Sequence, residues 1–338
     1  MSYDSTEQII RERVFSVTQS DFQSLCLEVF EFQYNNNPLY HSYCKFRQRQ
    51  PKTVQSITDI PFLPIRFFKQ HLIQTGSFHP EIIFESSGTT GSIPSRHAVK
   101  SLAWYERSFI KTFHETYGDP SNWCILALLP SYLERQHSSL VYMTEKLIEM
   151  SKHPNSGFYL YEHDQLADTI LKLENEGQKT ILLGVAFALL DFSLAFEFPL
   201  KHTTVIETGG MKGRKQEITK QALHEQLQHA WKSNSIHSEY GMTELISQAY
   251  SSGSGIFETP NQLRICVRAE DDPTLISDVS STINSPLQGG INIIDLHNLY
   301  TCCFIETEDY GTLYPDGKFR IDGRLDNSDL RGCGLMIA

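Results

Sequence analysis

The chain has 338 residues, 40% hydrophobic and 20% charged, a balance that supports a sizeable core and excludes a disordered protein. Its formal charge of −11, with no long basic run, excludes a surface built for nucleic-acid phosphates. No apolar stretch approaches the length of a membrane span, and Met1–Phe15 carries acids without a hydrophobic leader core, so a cytoplasmic protein with no stable membrane insertion is expected.

Residues 1–80 read as a helical N-terminal region packed on the core. Phe22, Leu25, Cys26, Val29 and Phe30 recur at helix spacing, with Ser20 or Asp21 as the expected cap. "IPFLPIRFFK", Ile60–Lys69, carries two prolines and reads as extended. Residues 81–255 alternate apolar runs with helix-period stretches. The strand candidates there are Ile82–Glu85, Cys124–Leu129, Thr180–Val185, Thr203–Thr208 and His237–Tyr240. The helix candidates are Ser101–Tyr117, Leu140–Ser151, Asp164–Glu176 and Arg214–Ser233. That alternation predicts an α/β core with a largely parallel sheet. Residues 256–338 open with a strand at Leu263–Val267. Shorter runs follow, punctuated at Ser285-Pro286, Gly289-Gly290 and Pro315-Asp316-Gly317, which predicts a strand-rich subregion.

Seven cysteines, Cys26, Cys44, Cys124, Cys266, Cys302, Cys303 and Cys333, form an odd set without zinc-type spacing. They are expected as reduced thiols, most of them small buried residues. Cys302 and Cys303, in an apolar run, read as core.

The first strand candidate leads into Ser86-Ser87-Gly88-Thr89-Thr90-Gly91. Glycines let successive N–H groups converge on an anion, and hydroxyls add donors. No Gly-Lys-Ser/Thr follows, so it is not a Walker loop. Alone, such a hexamer is more often a solvated turn. Downstream stand "IETGGMKGR" (Ile206–Arg214), "HSEYGMTE" (His237–Glu244) and "TEDYGTLYPDGKFRIDGRLD" (Thr307–Asp326). Singly each has a plain reading: Tyr240 as a core aromatic, Glu244 as an acid in a helix's first turn, and Gly209-Gly210 as a turn.

A Ser/Thr/Gly loop, Tyr-Gly-x-Thr-Glu, an Asp and Gly-Arg-x-Asp, in this order, resemble the adenylate-forming superfamily, which includes acyl-CoA synthetases, luciferases and peptide-synthetase adenylation domains. The resemblance implies the mixed, largely parallel fold of that superfamily's N-terminal domain, and activation of a carboxylic acid by ATP with Mg²⁺. It implies that Ser86, Ser87, Gly88, Thr89, Thr90 and Gly91 hold the β- and γ-phosphates. Tyr240, with Gly241 beside it, would lie near adenine, Thr243 would contact the α-phosphate, and Glu244 would hold Mg²⁺. Gly209 and Gly210 would line the adenine pocket through backbone, and Asp309 and Arg324 would take the ribose hydroxyls. Two departures stand out. Pro94-Ser95-Arg96 replaces the usual Pro-Lys, with Arg96 as a substitute cation, and the sequence stops 14 residues after Arg324, which predicts that the usual mobile C-terminal domain is absent.

"IPFLPIRFFK", "LLPSYLERQHSSLVYM" (Leu128–Met143) and "LDNSDLRGCGLMIA" (Leu325–Ala338) resemble the acyl-protein synthetases of bacterial bioluminescence, the LuxE type. That resemblance implies transfer of a fatty acyl group from acyl-AMP to the enzyme's own Cys333, for delivery to an acyl reductase partner. A thiolate attacks acyl-AMP well, and Arg331 favours the thiolate; the plain alternative is an ordinary tail cysteine. His137 falls where related enzymes line the acyl pocket, although a lone His is more often structural. Ser138-Ser139 lacks the surroundings of a hydrolase elbow. The competing functions are an acyl- or aryl-CoA ligase resembling phenylacetate-CoA ligase, with Cys333 idle, and a non-catalytic adenylation-fold scaffold.

Overall fold

The computed structural model describes residues 3–86, 93–129, 137–209, 218–279 and 285–325. The chain divides into two compact units, His79–Phe257 and the pair of segments Met1–Phe78 with Glu258–Ala338.

In His79–Phe257 four of the expected strands join two unexpected edge strands, Gly157–Phe158 and Ala249–Ser251, in one sheet, in the order Gly157–Phe158, Cys124–Leu128, Thr180–Val185, Thr203–Thr208, His237–Tyr240 and Ala249–Ser251. The first five are parallel and the last is antiparallel. Every residue of Cys124–Leu128 and Thr180–Val185 is buried. Burial on both faces is why these strands read as unbroken apolar runs. Leu126, Leu182, Val205, Phe192, Leu227 and Trp231 share one core. The indole N–H of Trp231 donates to the Phe196 carbonyl at 3.0 Å, so burying that ring leaves no polar group unpaired.

Helices occupy Leu102–Tyr117, Ser139–Ser151, His163–Glu176, Ala186–Ala195 and Lys220–Trp231. Two differ from expectation. The last begins at Lys220, where the Thr219 hydroxyl accepts the Ala222 N–H at 3.1 Å and caps it; its expected start, Arg214, lies outside the described residues. Ala186–Ala195, "AFALLDFSLA", is apolar on nearly every side, so it carries no amphipathic period to read. A separate antiparallel pair, Ile82–Glu85 with Arg96–Val99, is registered Ile82 to Val99 and Glu85 to Arg96.

The other unit begins with helices Tyr3–Val14, Phe22–Asn36 and Pro38–Phe46. The second buries the residues whose spacing predicted it, but neither expected cap operates. Asp21 occupies the capping position, yet its carboxylate accepts the Thr18 hydroxyl at 2.8 Å and makes no capping bond. Gln33 is fully buried and acts as a polar clamp. Its amide donates to the Leu299 carbonyl at 3.0 Å, and its Oε1 accepts the Cys303 N–H at 2.9 Å. Gln33→Ala is expected to cost about 2 kcal/mol by orphaning those groups, read as a lower urea midpoint at unchanged slope; an unchanged midpoint would refute the clamp.

Ile60–Lys69 is extended through Leu63–Pro64, which pairs parallel with Ile305–Glu306, and then makes a short helix, Phe67–Gln70. The remaining strands build an antiparallel sheet in the order Phe319–Arg324, Phe304–Leu313, Leu287–Asp295, Leu263–Arg268, Ile276–Ser277. Leu287–Asp295 and Phe304–Leu313 are longer than expected, because Gly289-Gly290 is not a turn. Both lie inside a strand, beside a bulge between Gly290 and Asn292. A Cβ on Gly290 would come within 2.4 Å of the Arg268 guanidinium carbon. That buried guanidinium donates to the carbonyls of Ile291 and Thr307 and to Asn292 Oδ1.

The six cysteines among the described residues are all buried. Burial pushes the Cys44 and Cys124 thiols up to about 12 and about 11, so they are protonated and unreactive near neutrality. Among the described residues, no helix is long and apolar enough to cross a membrane.

Candidate active site

Ser86 stands at the exit of Ile82–Glu85, opposite the chain's return. The Ser95 N–H donates to Ser86 Oγ at 2.8 Å, and the Ser86 N–H donates to the Ser95 carbonyl at 3.0 Å. These two bonds close a neck at the base of the Ser/Thr/Gly loop; Ser87, Gly88, Thr89, Thr90 and Gly91 lie outside the described residues. The Glu85 N–H donates to the His137 carbonyl at 2.8 Å. The backbone of His137 is thereby fixed beside the neck, and the residue is exposed.

Thr203–Thr208 and His237–Tyr240 are neighbouring parallel strands. Gly209 (φ +71°) follows the first, and Gly241, Thr243 and Glu244 follow the second. With Tyr240 they gather at the carboxyl ends of adjacent strands, the edge where open α/β sheets bind ligands. Gly210 lies outside the described residues. Tyr240 is half-buried, its ring centroid 5.7 Å from that of Phe257. Thr243 is half-buried and Glu244 buried.

His97, on the strand returning from the loop, donates Nδ1–H to the Thr243 carbonyl at 2.6 Å. A carbonyl can only accept, so the proton sits on Nδ1. This buried side chain couples the loop hairpin to the Tyr-Gly-x-Thr-Glu segment. No sequence motif marks it, since its partner lies 146 positions away.

Two buried carboxyls, also missed in the sequence, lie beneath the same edge on opposite faces of the sheet. Glu207 accepts Lys220 Nζ at 2.6 Å, with His224 Nε2 at 3.4 Å. Burial pushes its carboxyl up, but His224, Lys220 and Ser238 outweigh burial and hold it below its ordinary range. Glu239, which is registered beside Thr208, accepts the Thr208 hydroxyl. Burial, helped by the charge of Glu207, raises it to about 7 against the opposing Thr208 bond and Lys220 charge.

In the other unit Asp309 and Arg324 are register partners on adjacent antiparallel strands. Arg324 Nε lies 3.4 Å from Asp309 Oδ1. Asp309 is buried, and the Arg324 side chain is about half exposed. The sequence thus placed 15 positions apart two residues that the hairpin sets side by side. Cys333 lies outside the described residues.

Among the described residues no group of three His, Cys, Asp or Glu could hold a metal. One carboxylate, such as that of Glu244, nevertheless suits Mg²⁺ arriving with a nucleotide, because the phosphates supply further oxygens.

The fold is that of the adenylate-forming enzymes. It matches 2-hydroxyisobutyryl-CoA ligase in the postadenylation state with a TM-score of 0.58 and 10% identity, over 91% of this chain and 69% of that one. O-succinylbenzoate coenzyme A synthetase (MenE) from Bacillus subtilis, in complex with AMP, gives 0.48 and 14% identity, over 84% of this chain and 54% of the synthetase. Apo MbtA from Mycobacterium smegmatis gives 0.47 and 13%, over 73% and 46%. The chain therefore spans about half the length of these last two proteins. No curated protein sequence matches it directly. The family described as acyl-protein synthetase, LuxE, is matched over residues 13–338, and the chain belongs to that family.

Proposed function

We propose that the chain activates a fatty or other carboxylic acid with ATP and passes the acyl group to its own Cys333. The observation supporting this most directly is the gathering of Gly209, Tyr240, Gly241, Thr243 and Glu244 at the carboxyl edge of two adjacent parallel strands, tied by His97 to the hairpin that carries the Ser/Thr/Gly loop.

On this reading a substrate carboxylate oxygen attacks the α-phosphorus of ATP. The α–β phosphoanhydride bond breaks, and pyrophosphate leaves as acyl-AMP forms. Backbone N–H groups and hydroxyls of Ser86 to Gly91 hold the β- and γ-phosphates, and Thr243 holds the α-phosphate. Fixed donors lower the barrier because they need no reorganisation as charge shifts. Glu244 holds Mg²⁺, which supplies neutralisation of phosphate charge. Tyr240 and the backbone of Gly209-Gly210 flank adenine, and His137 lies toward the acyl group. The Cys333 thiolate then attacks the acyl carbon, the acyl–phosphate bond breaks, and AMP leaves. The thioester is delivered to an acyl reductase.

The test is ATP–pyrophosphate exchange with added fatty acids, followed by labelling of the protein with radioactive acid. Acid-dependent exchange is expected. The wild type should acquire label through a hydroxylamine-labile bond, and Cys333→Ser should exchange normally yet stay unlabelled. Absence of exchange with every acid would sink acid activation. A labelled Cys333→Ser variant would instead overturn the acceptor, and label appearing on coenzyme A alone would favour the CoA-ligase reading.

A further inference from the structure

We propose that Glu239 is a positioning residue for the nucleotide, its carboxyl group joining Thr208 at the end of one strand to Gly241 beyond the next and fixing their separation. This rests on the proposed function, which sets Gly209 and Tyr240, the residues that follow Thr208 and Glu239, beside adenine.

Glu239 is 7% exposed, in a strand where an apolar side chain would cost less to bury. Thr208 and Glu239 are register partners on neighbouring parallel strands, so their side chains leave the same face of the sheet. The Thr208 hydroxyl donates to Glu239 Oε2 immediately before Gly209. The other oxygen faces Gly241: a Cβ there would come within 2.4 Å of Glu239 Oε1. One carboxyl therefore holds the end of one strand with one oxygen and abuts the backbone leaving the next with the other. The glycine at 241 is what admits it.

Among the described residues, the titratable groups on that face include three phenols and His237, two positions earlier on the same strand, whose Nδ1 lies 3.2 Å from the Tyr117 hydroxyl. Tyr105 and Tyr117 come from the helix Leu102–Tyr117, and Tyr250 from the antiparallel edge strand. Burial pushes all three phenols above their usual range, with the Glu239 charge adding to the effect. Lys220 and Glu207 pair on the opposite face. A methionine would fill the same space, but it would neither take the Thr208 proton nor stop against Gly241 in the same way. The requirement for an oxygen acceptor separates positioning from filling.

The experiment uses the full chain, with AMP and Mg-ATP as calorimetric probes and acid-dependent exchange as the kinetic readout. Glu239→Met and Thr208→Val are each expected to weaken AMP binding about tenfold. They should raise the KM for ATP more than they lower kcat. Glu239→Gln keeps an acceptor for Thr208 and should recover most of the affinity. Wild-type affinity in both Glu239→Met and Thr208→Val would overturn the positioning role. A loss in Glu239→Gln as large as that in Glu239→Met would overturn it as well. Thr208→Val removes one hydroxyl at constant volume, so it decides the question even if Glu239→Met does not fold. A wild type that binds neither nucleotide would overturn the proposed function and this inference together, whereas a wild type that binds isolates the role of Glu239.

Discussion

Between about pH 4 and about pH 8 the wild type is expected to lose about 3 kcal/mol of stability relative to Glu239→Gln. Burial, with the Glu207 charge behind it, lifts the Glu239 carboxyl from 4.5 to about 7. The folded chain therefore keeps a proton that the unfolded chain releases. Because the folded value is the raised one, the contribution is complete below about pH 4.5. It drains away as pH climbs and is gone above about pH 7. Glutamine cannot ionise, so the variant lacks this component. Urea midpoints at closely spaced pH values measure the difference, which cancels the titration of every other group. Parallel curves for the two proteins would show that Glu239 ionises normally. Glu207 has the opposite sign: its carboxyl is held low, so its contribution is present above the unfolded value and is lost only as pH falls through the folded one.

Glu244→Gln is expected to lower acid-dependent exchange by at least about 100-fold, roughly 2.7 kcal/mol of transition-state stabilisation. Glutamine preserves volume and an acceptor oxygen at this buried position. It removes the negative charge, which a hard cation selects over a neutral amide. The half-saturating Mg²⁺ concentration should rise in parallel, a change that mispacking alone would not produce. Exchange within threefold of wild type, at unchanged magnesium dependence, would remove Glu244 from the proposed metal site.

Much of the parallel sheet was legible because its strands are buried on both faces. Cys124–Leu128 and Thr180–Val185 stand out as apolar runs bounded by polar segments, and the structure keeps those limits to within a residue. Boundaries set by a single hydroxyl were harder to place: Thr219 starts a helix where the apolar period had already suggested one. Gly289-Gly290 misled for a physical reason, since a glycine admitting the Arg268 guanidinium looks in sequence like a glycine making a turn. At the candidate site, local strings such as Tyr240 to Glu244 were visible because the chain presents them contiguously. His97, Thr208 and Glu239 were not, because their significance lies in partners on other strands. Asp309 and Arg324 could be named from the motif order, but their direct pairing depends on the hairpin register.

The reciprocal bonds between Ser86 and Ser95 make closure of the loop a property of the hairpin's base. The entropic penalty of bringing the loop's ends together is met at the neck, by the hairpin and these two serines. Ser86 therefore carries two duties, closing the hairpin through its own bonds and, on the proposed reading, contacting phosphate.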